Sequence, residues 1–340
     1  MRKIALSNLN NLFAAIAKDE ALYLPAIGGD GRANYTKWAE GVEYSNALNT
    51  VRSAKDFFFP QTENLMDFKM EGKVIEVIDT REECEDFVVF GVRACDVRSF
   101  EILDRVFLVD PVDTYYKNRR EHGVIMSMAC GKPSETCFCG TFGIDASAPK
   151  GDVECYTAHD ELYMNAITEK GAALMNKLAD ITEECGDEAV NAEKAVIKER
   201  LNKLPLATLT ADSFGGGKTE AFFKAPEWKE LSATCLGCGT CTFVCPTCQC
   251  YDIRDFKTNK GVQRFRCWDS CMYSDFTKMA HGNNRLSQVE RFRQRFMHKL
   301  VYYPENNEGI FGCVGCGRCI SRCPISMNIV KVMKKLGGNA

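Results

Sequence analysis

The sequence predicts an α+β multidomain fold, with an N-terminal α/β domain over residues 1–215 and a cysteine-rich, largely helical domain over residues 216–340. Three observations lead there. Apolar runs of strand length alternate with helix-period segments in the first half but not in the second. Cysteine is unevenly spread, with seven in residues 1–215 and twelve in residues 216–340. Between the halves lies Asp212-Ser213-Phe214-Gly215-Gly216-Gly217-Lys218-Thr219, which reads as a flexible connection. It is no phosphate-binding loop, because Asp212 stands where that motif needs its first glycine.

The elements follow in chain order. Leu9, Leu12, Phe13 and Ile16 recur at helical spacing, and Ser7 or Asn8 could cap that helix. Lys73–Ile78 reads as a strand. Phe87–Val92 is a short continuous apolar run, which suits a strand buried on both faces. Phe100, Ile102, Leu103, Val106 and Phe107 mark a helix, and Val124–Met128 marks a second buried strand. Residues 187–204 read as one long polar helix. In the second half, helices are expected near 286–300 and 325–336.

The 340 residues are 45% hydrophobic and 26% charged, enough apolar material for a core without covalent staples. A net charge of −3 gives no ground for nucleic acid or an anionic membrane as partner. The 19 cysteines are odd in number, and no secretory leader or 18-residue apolar run accompanies them. The expected setting is therefore a reducing cytoplasm, without a membrane span, where grouped thiols bind metal or do redox chemistry.

Two runs share one pattern, C-x2-C-x2-C-x3-C-P: Cys235, Cys238, Cys241, Cys245 with Pro246, and Cys313, Cys316, Cys319, Cys323 with Pro324. This is the bacterial-type [4Fe–4S] run. Three thiolates on a tight turn reach three irons of one cubane, and Gly237, Gly239, Gly315 and Gly317 let the backbone curl around it. The fourth cysteine is out of reach and serves the other cluster. Cys235, Cys238 and Cys241 thus pair with Cys323, and Cys313, Cys316 and Cys319 with Cys245. A structural zinc site takes four ligands in two C-x2-C pairs and fits this pattern less well. The 67 residues between Cys245 and Cys313, helical in character, suggest an α-helical ferredoxin-type two-[4Fe–4S] domain.

Other cysteines leave alternatives open. Cys95 and Cys130 each follow a predicted strand, and Cys137 and Cys139 come soon after, at the sheet edge where ligands bind in open α/β folds. They are either ligands of a third cluster or buried, inert thiols. Cys248, Cys250, Cys267 and Cys271 either hold a further cluster or pack beside the first two. Cys84, Cys155 and Cys185 are scattered and read as packing residues. Arg285, Arg291, Arg293, Arg295 and Lys299 form a basic helix that is a solvated face, a counter-charge for clusters or a docking surface. No nucleophile–His–acid order, zinc-protease motif or dinucleotide fingerprint is present. The chain thus reads as a relay. The alternative is a catalytic sulfur- or disulfide-reducing iron–sulfur enzyme.

Phe87–Asp96 (FVVFGVRACD), Tyr115–Glu121 (YYKNRRE), Cys137–Cys139 (CFC), Cys245–Tyr251 (CPTCQCY), Trp268–Cys271 (WDSC) and Cys313–Cys319 (CVGCGRC) resemble a known family over nearly the whole chain. It comprises sulfhydrogenase (hydrogenase/sulfur reductase) β subunits and the iron–sulfur subunits of anaerobic sulfite reductase. The resemblance implies an electron-transfer subunit within a larger complex. One partner would be a diaphorase subunit carrying FAD and using NAD(P)(H). The other would be a catalytic hydrogenase, sirohaem sulfite reductase or heterodisulfide reductase subunit. It also implies a third [4Fe–4S] cluster on Cys95, Cys130, Cys137 and Cys139. Cys248, Cys250 and Cys271 match family positions, whereas Cys267 stands where a basic residue is expected.

Overall fold

The computed structural model describes residues 1–47, 49–81, 84–259 and 261–338. Among them, strands β1 (Arg2–Ala5), β2 (Ala21–Ile27), β3 (Ala33–Lys37), β4 (Thr62–Glu71), β5 (Val74–Asp79) and β6 (Phe87–Arg93) belong to the first third of the chain. They are followed by β7 (Gly123–Met128), β8 (Val153–Ala158), β9 (Glu161–Ala166), β10 (Glu183–Glu184), β11 (Tyr251–Thr258) and β12 (Gly261–Trp268).

One sheet has the order β10-β1-β9-β8-β7-β6-β2-β3. Its centre, β2-β6-β7-β8, is parallel, and its flanks are antiparallel. All seven residues of β6 are buried, as the unbroken apolar run requires. Val88 and Phe90 join Leu12, Phe13 and Met126 on one face, while Phe87, Val89 and Val92 join Phe58, Phe100 and Leu103 on the other. The expected helices appear as Leu9–Ile16, Ala94–Phe107, Glu188–Asn202, Gln288–Met297 and Ile329–Gly337. Neither Ser7 nor Asn8 caps the first by side chain, because residues Leu6–Asn8 form a 3-10 turn running into it.

The region between the ferredoxin runs is not purely helical. Strands β11 and β12 form a hairpin, and β12 pairs with β4 in a second sheet, β11-β12-β4-β5. Strands from the two halves of the sequence thus share one sheet. Buried charge holds the junction: Glu63 accepts from Arg266 Nε at 2.7 Å and from Arg119 Nε at 2.6 Å. The glycine-rich segment is packed rather than free. Gly215 N–H donates to the Leu300 carbonyl at 2.9 Å, Ser213 Oγ donates to the Gly337 carbonyl at 2.8 Å, and Phe214 is buried with Trp228 and Phe292. No helix among the described residues is long and apolar enough to cross a membrane.

Candidate metal centres

Cys235, Cys238 and Cys241 meet Cys323 around one cavity, walled by Met272, Phe292, Phe296 and Met327. The chain achieves this with two turns of like conformation. Gly237 and Gly239 have φ of +66° and +74°, Gly315 and Gly317 of +60° and +75°, a region other residues seldom enter. Each turn runs into a short helix, Thr240–Phe243 or Arg318–Ser321, that carries the third cysteine inward. Gln288 Nε2 donates to Cys235 Sγ at 3.3 Å. Cys238 is exposed, and Thr240 beside it, 3.3 Å from its Sγ, lowers its pKa.

Cys313, Cys316 and Cys319 lie close enough to Cys245 for their charges to interact. Burial pushes the Cys313 thiol up to about 11 and Cys316 to about 12. Such thiols deprotonate when they bind metal, which supplies the opposing charge. Cys241 adjoins Cys245 electrostatically, so the first two groups are neighbours.

Cys95 sits in the first turn of the helix after β6, and Cys130 follows β7, at the carboxyl ends of adjacent parallel strands. The loop after β7 brings Cys139 against them, in one buried cluster that also contains Cys316. Cys137 is buried as well; Asn49 Nδ2 lies 3.7 Å from its Sγ and donates to the Cys316 carbonyl at 2.9 Å. This third group therefore adjoins the second. The Phe138 N–H donates to the Gly315 carbonyl at 2.8 Å, and a Cβ on Gly315 would run into the Phe138 carbonyl. Gly315→Ala meets both that wall and a positive φ, which alone costs about 1–2 kcal/mol. It is expected to lower the unfolding temperature and the visible absorption of bound iron; an unchanged spectrum and midpoint would contradict this packing.

A buried ion pair clamps the same junction. Arg318, between Gly317 and Cys319, places Nη1 and Nη2 at 2.5 and 2.7 Å from the Asp96 carboxylate, with side-chain exposures of 2% and 0%. Neither the ion pair nor its partnering across the chain is signalled by the sequence.

Cys248, Cys250 and Cys271 line a further cavity with His298. Cys267 does not join them. It lies on β12, half-buried, opposite Asp252 and Thr62. Cys155 is fully buried in the core of the large sheet, while Cys84 and Cys185 are half-buried elsewhere. Two of the basic-helix residues turn inward: Arg295 and Lys299 are 3% and 6% exposed. Arg295 Nη2 donates to the Cys241 carbonyl at 2.8 Å, and Nη1 lies 3.6 Å from Cys248 Sγ. Lys299 donates to Thr247 Oγ1 at 2.7 Å. Lys55, which no sequence signal marked, is also buried and donates to the Cys248 carbonyl at 2.9 Å. Burial lowers its pKa to about 8.

These cations test whether the donor set fits iron–sulfur clusters. Among the described residues none of the three forms an ion pair with a carboxylate. Arg295 Nε is buried without a hydrogen-bond partner. Buried cations are costly unless anionic charge accompanies them, and clustered thiolates on iron provide it. No three His, Cys, Asp or Glu side chains among the described residues are placed to hold a single ion. The thiols surround spaces rather than a point, which suits a polynuclear cluster with each iron on its own thiolate.

Comparison with known proteins agrees. Residues 234–327 match the 4Fe-4S dicluster domain family. The whole chain is similar to sulfhydrogenase 2 subunit beta of Pyrococcus furiosus, with 32% identity covering 91% of this chain and 92% of that protein. The chain is therefore an iron–sulfur electron-transfer protein and belongs to the sulfhydrogenase β-subunit family.

Proposed function

We propose that this chain is the relay subunit of a multi-subunit oxidoreductase. It would carry electrons between an FAD subunit using NAD(P)(H) and a catalytic subunit of hydrogenase, sulfite reductase or heterodisulfide reductase type. The observation that carries this reading is the contiguity of the thiol groups. Cys238 opens to solvent, Cys241 adjoins Cys245, and Cys316 adjoins Cys95 and Cys139 at the sheet edge. Bound there, [4Fe–4S] clusters would exchange single electrons at potentials set by burial, hydrogen bonds and local charge.

The protein's part is to fix and insulate that path. Phe292, Phe296 and Met272 keep water from the first group, and Gln288 donates to one of its sulfurs. Arg295 and Lys299 offset thiolate charge between the first two groups and would raise their potentials. Leu236 and Leu286, 65% and 79% exposed near the Cys238 end, suit a docking patch for one partner. The second sheet also exposes Val74, Ile75, Val77, Ile253 and Phe256, apolar surface of the kind that marks protein contacts.

Exposing the anaerobically purified chain to reduced methyl viologen tests this reading. A relay takes up electrons to a fixed stoichiometry and then stops, with polysulfide, sulfite or a disulfide present or absent. Sustained consumption of any of these by the isolated chain would replace it with a catalytic reading.

A further inference from the structure

Cys248, Cys250 and Cys271 belong to neither ferredoxin run and lie apart from the sheet-edge group. The structure gathers them, from the loop before β11 and the turn after β12, around one cavity. His298, at the end of helix Gln288–Met297, lines that cavity with Arg295 and Lys299. The cavity touches both ferredoxin groups. Cys248 is paired with Cys245, and Cys271 adjoins Cys241. Arg295 lines this cavity and the Cys235 cavity alike, and its buried Nε lacks a hydrogen-bond partner.

We infer that this cavity is a fourth [4Fe–4S] site, with the thiolates of Cys248, Cys250 and Cys271 on three irons and the His298 imidazole on the remaining one. Three thiolates fall one short of a cubane's usual four ligands, and His298 is the remaining metal-binding side chain lining the cavity. A neutral imidazole in place of a thiolate leaves the site less negative. Three buried cations, Lys55, Arg295 and Lys299, surround it. Both features raise the potential, as histidine ligation does in other iron–sulfur centres. The site would then hold electrons more readily than its two neighbours and act as a store beside the wire.

This inference rests on the relay reading, and the test separates the two. The full chain and its Cys250→Ser, Cys271→Ser and Cys316→Ser variants are purified anaerobically, and iron, sulfide and the EPR of the reduced state are measured. The expected result is a loss of about four irons and one reduced-state signal in each variant, the other signals persisting. Wild-type iron and signals in Cys250→Ser and Cys271→Ser, with loss in Cys316→Ser, would overturn the fourth site and leave the relay intact. No loss in Cys316→Ser would overturn the relay reading itself.

The histidine is read by isotope labelling. Wild-type chain carrying 15N-histidine should change the nitrogen coupling of the reduced signal of highest potential in pulsed EPR, and His298→Ala should abolish that coupling. A spectrum indifferent to the label would overturn the imidazole ligand.

Discussion

Cys316→Ser is expected to cost the chain about four irons, or to convert that centre, and to interrupt transfer between the exposed and buried ends. The substitution is nearly isosteric, so it should leave the fold in place. Its effect comes from position. Cys316 is buried, shares a group with Cys245, Cys313 and Cys319, and packs against Cys95 and Cys139. It is the contact through which the C-terminal groups meet the sheet edge. The Cys238 end and the sheet-edge group should each remain reducible by small viologens but no longer equilibrate with each other. Freeze-quench EPR after mixing with a reductant checks this. Wild-type equilibration with the middle centre absent would rule out the proposed path.

The largest stability effect should follow Asp96→Ala. It strands the Arg318 guanidinium, 2% exposed, with only the Thr50 carbonyl at 3.0 Å and Thr50 Oγ1 at 3.4 Å as other acceptors. Removing one partner of such a pair costs about 3–5 kcal/mol, because the remaining charge keeps its desolvation penalty. Asp96 follows Cys95, and Arg318 lies between Cys316 and Cys319, so the loss should loosen two thiol groups together. Asp96→Asn retains hydrogen-bonding capacity and should cost less. Loss of visible absorption on heating, with alkylation of Cys95, would follow both variants. A midpoint unchanged in Asp96→Ala would show that the pair does not clamp the junction.

How much of this is legible in the sequence depends on range. The buried strands β6 and β7 are readable because strands covered on both faces need unbroken apolar runs, and Phe87–Val92 and Val124–Met128 are such runs. The cysteine spacing, with glycines inside each run, implies the curled turns and the exchange of fourth ligands. The structure brings Cys323 to the first group and Cys245 to the second. The β11–β12 hairpin escapes the sequence reading although its signal is present: Asp252 to Phe256 mix polar and apolar residues, and Asn259 and Gly261 fall between two β-prone runs. The cysteine pattern around it points toward helix instead. Lys55, Asp96 and His298 have no local signal. Each matters through a partner far along the chain, Cys248 for Lys55 and Arg318 for Asp96, and single-sequence periodicity carries no such pairing.

The central claim is a wire that runs from Cys238 to the sheet edge. Iron and acid-labile sulfide per chain, measured on the anaerobically purified protein and on Cys95→Ser, test it most directly. The account predicts at least about twelve irons in the wild type, with about four fewer in Cys95→Ser and the ferredoxin-run signals intact. About eight irons, unchanged by Cys95→Ser, would confine the wire to the two ferredoxin runs and contradict it.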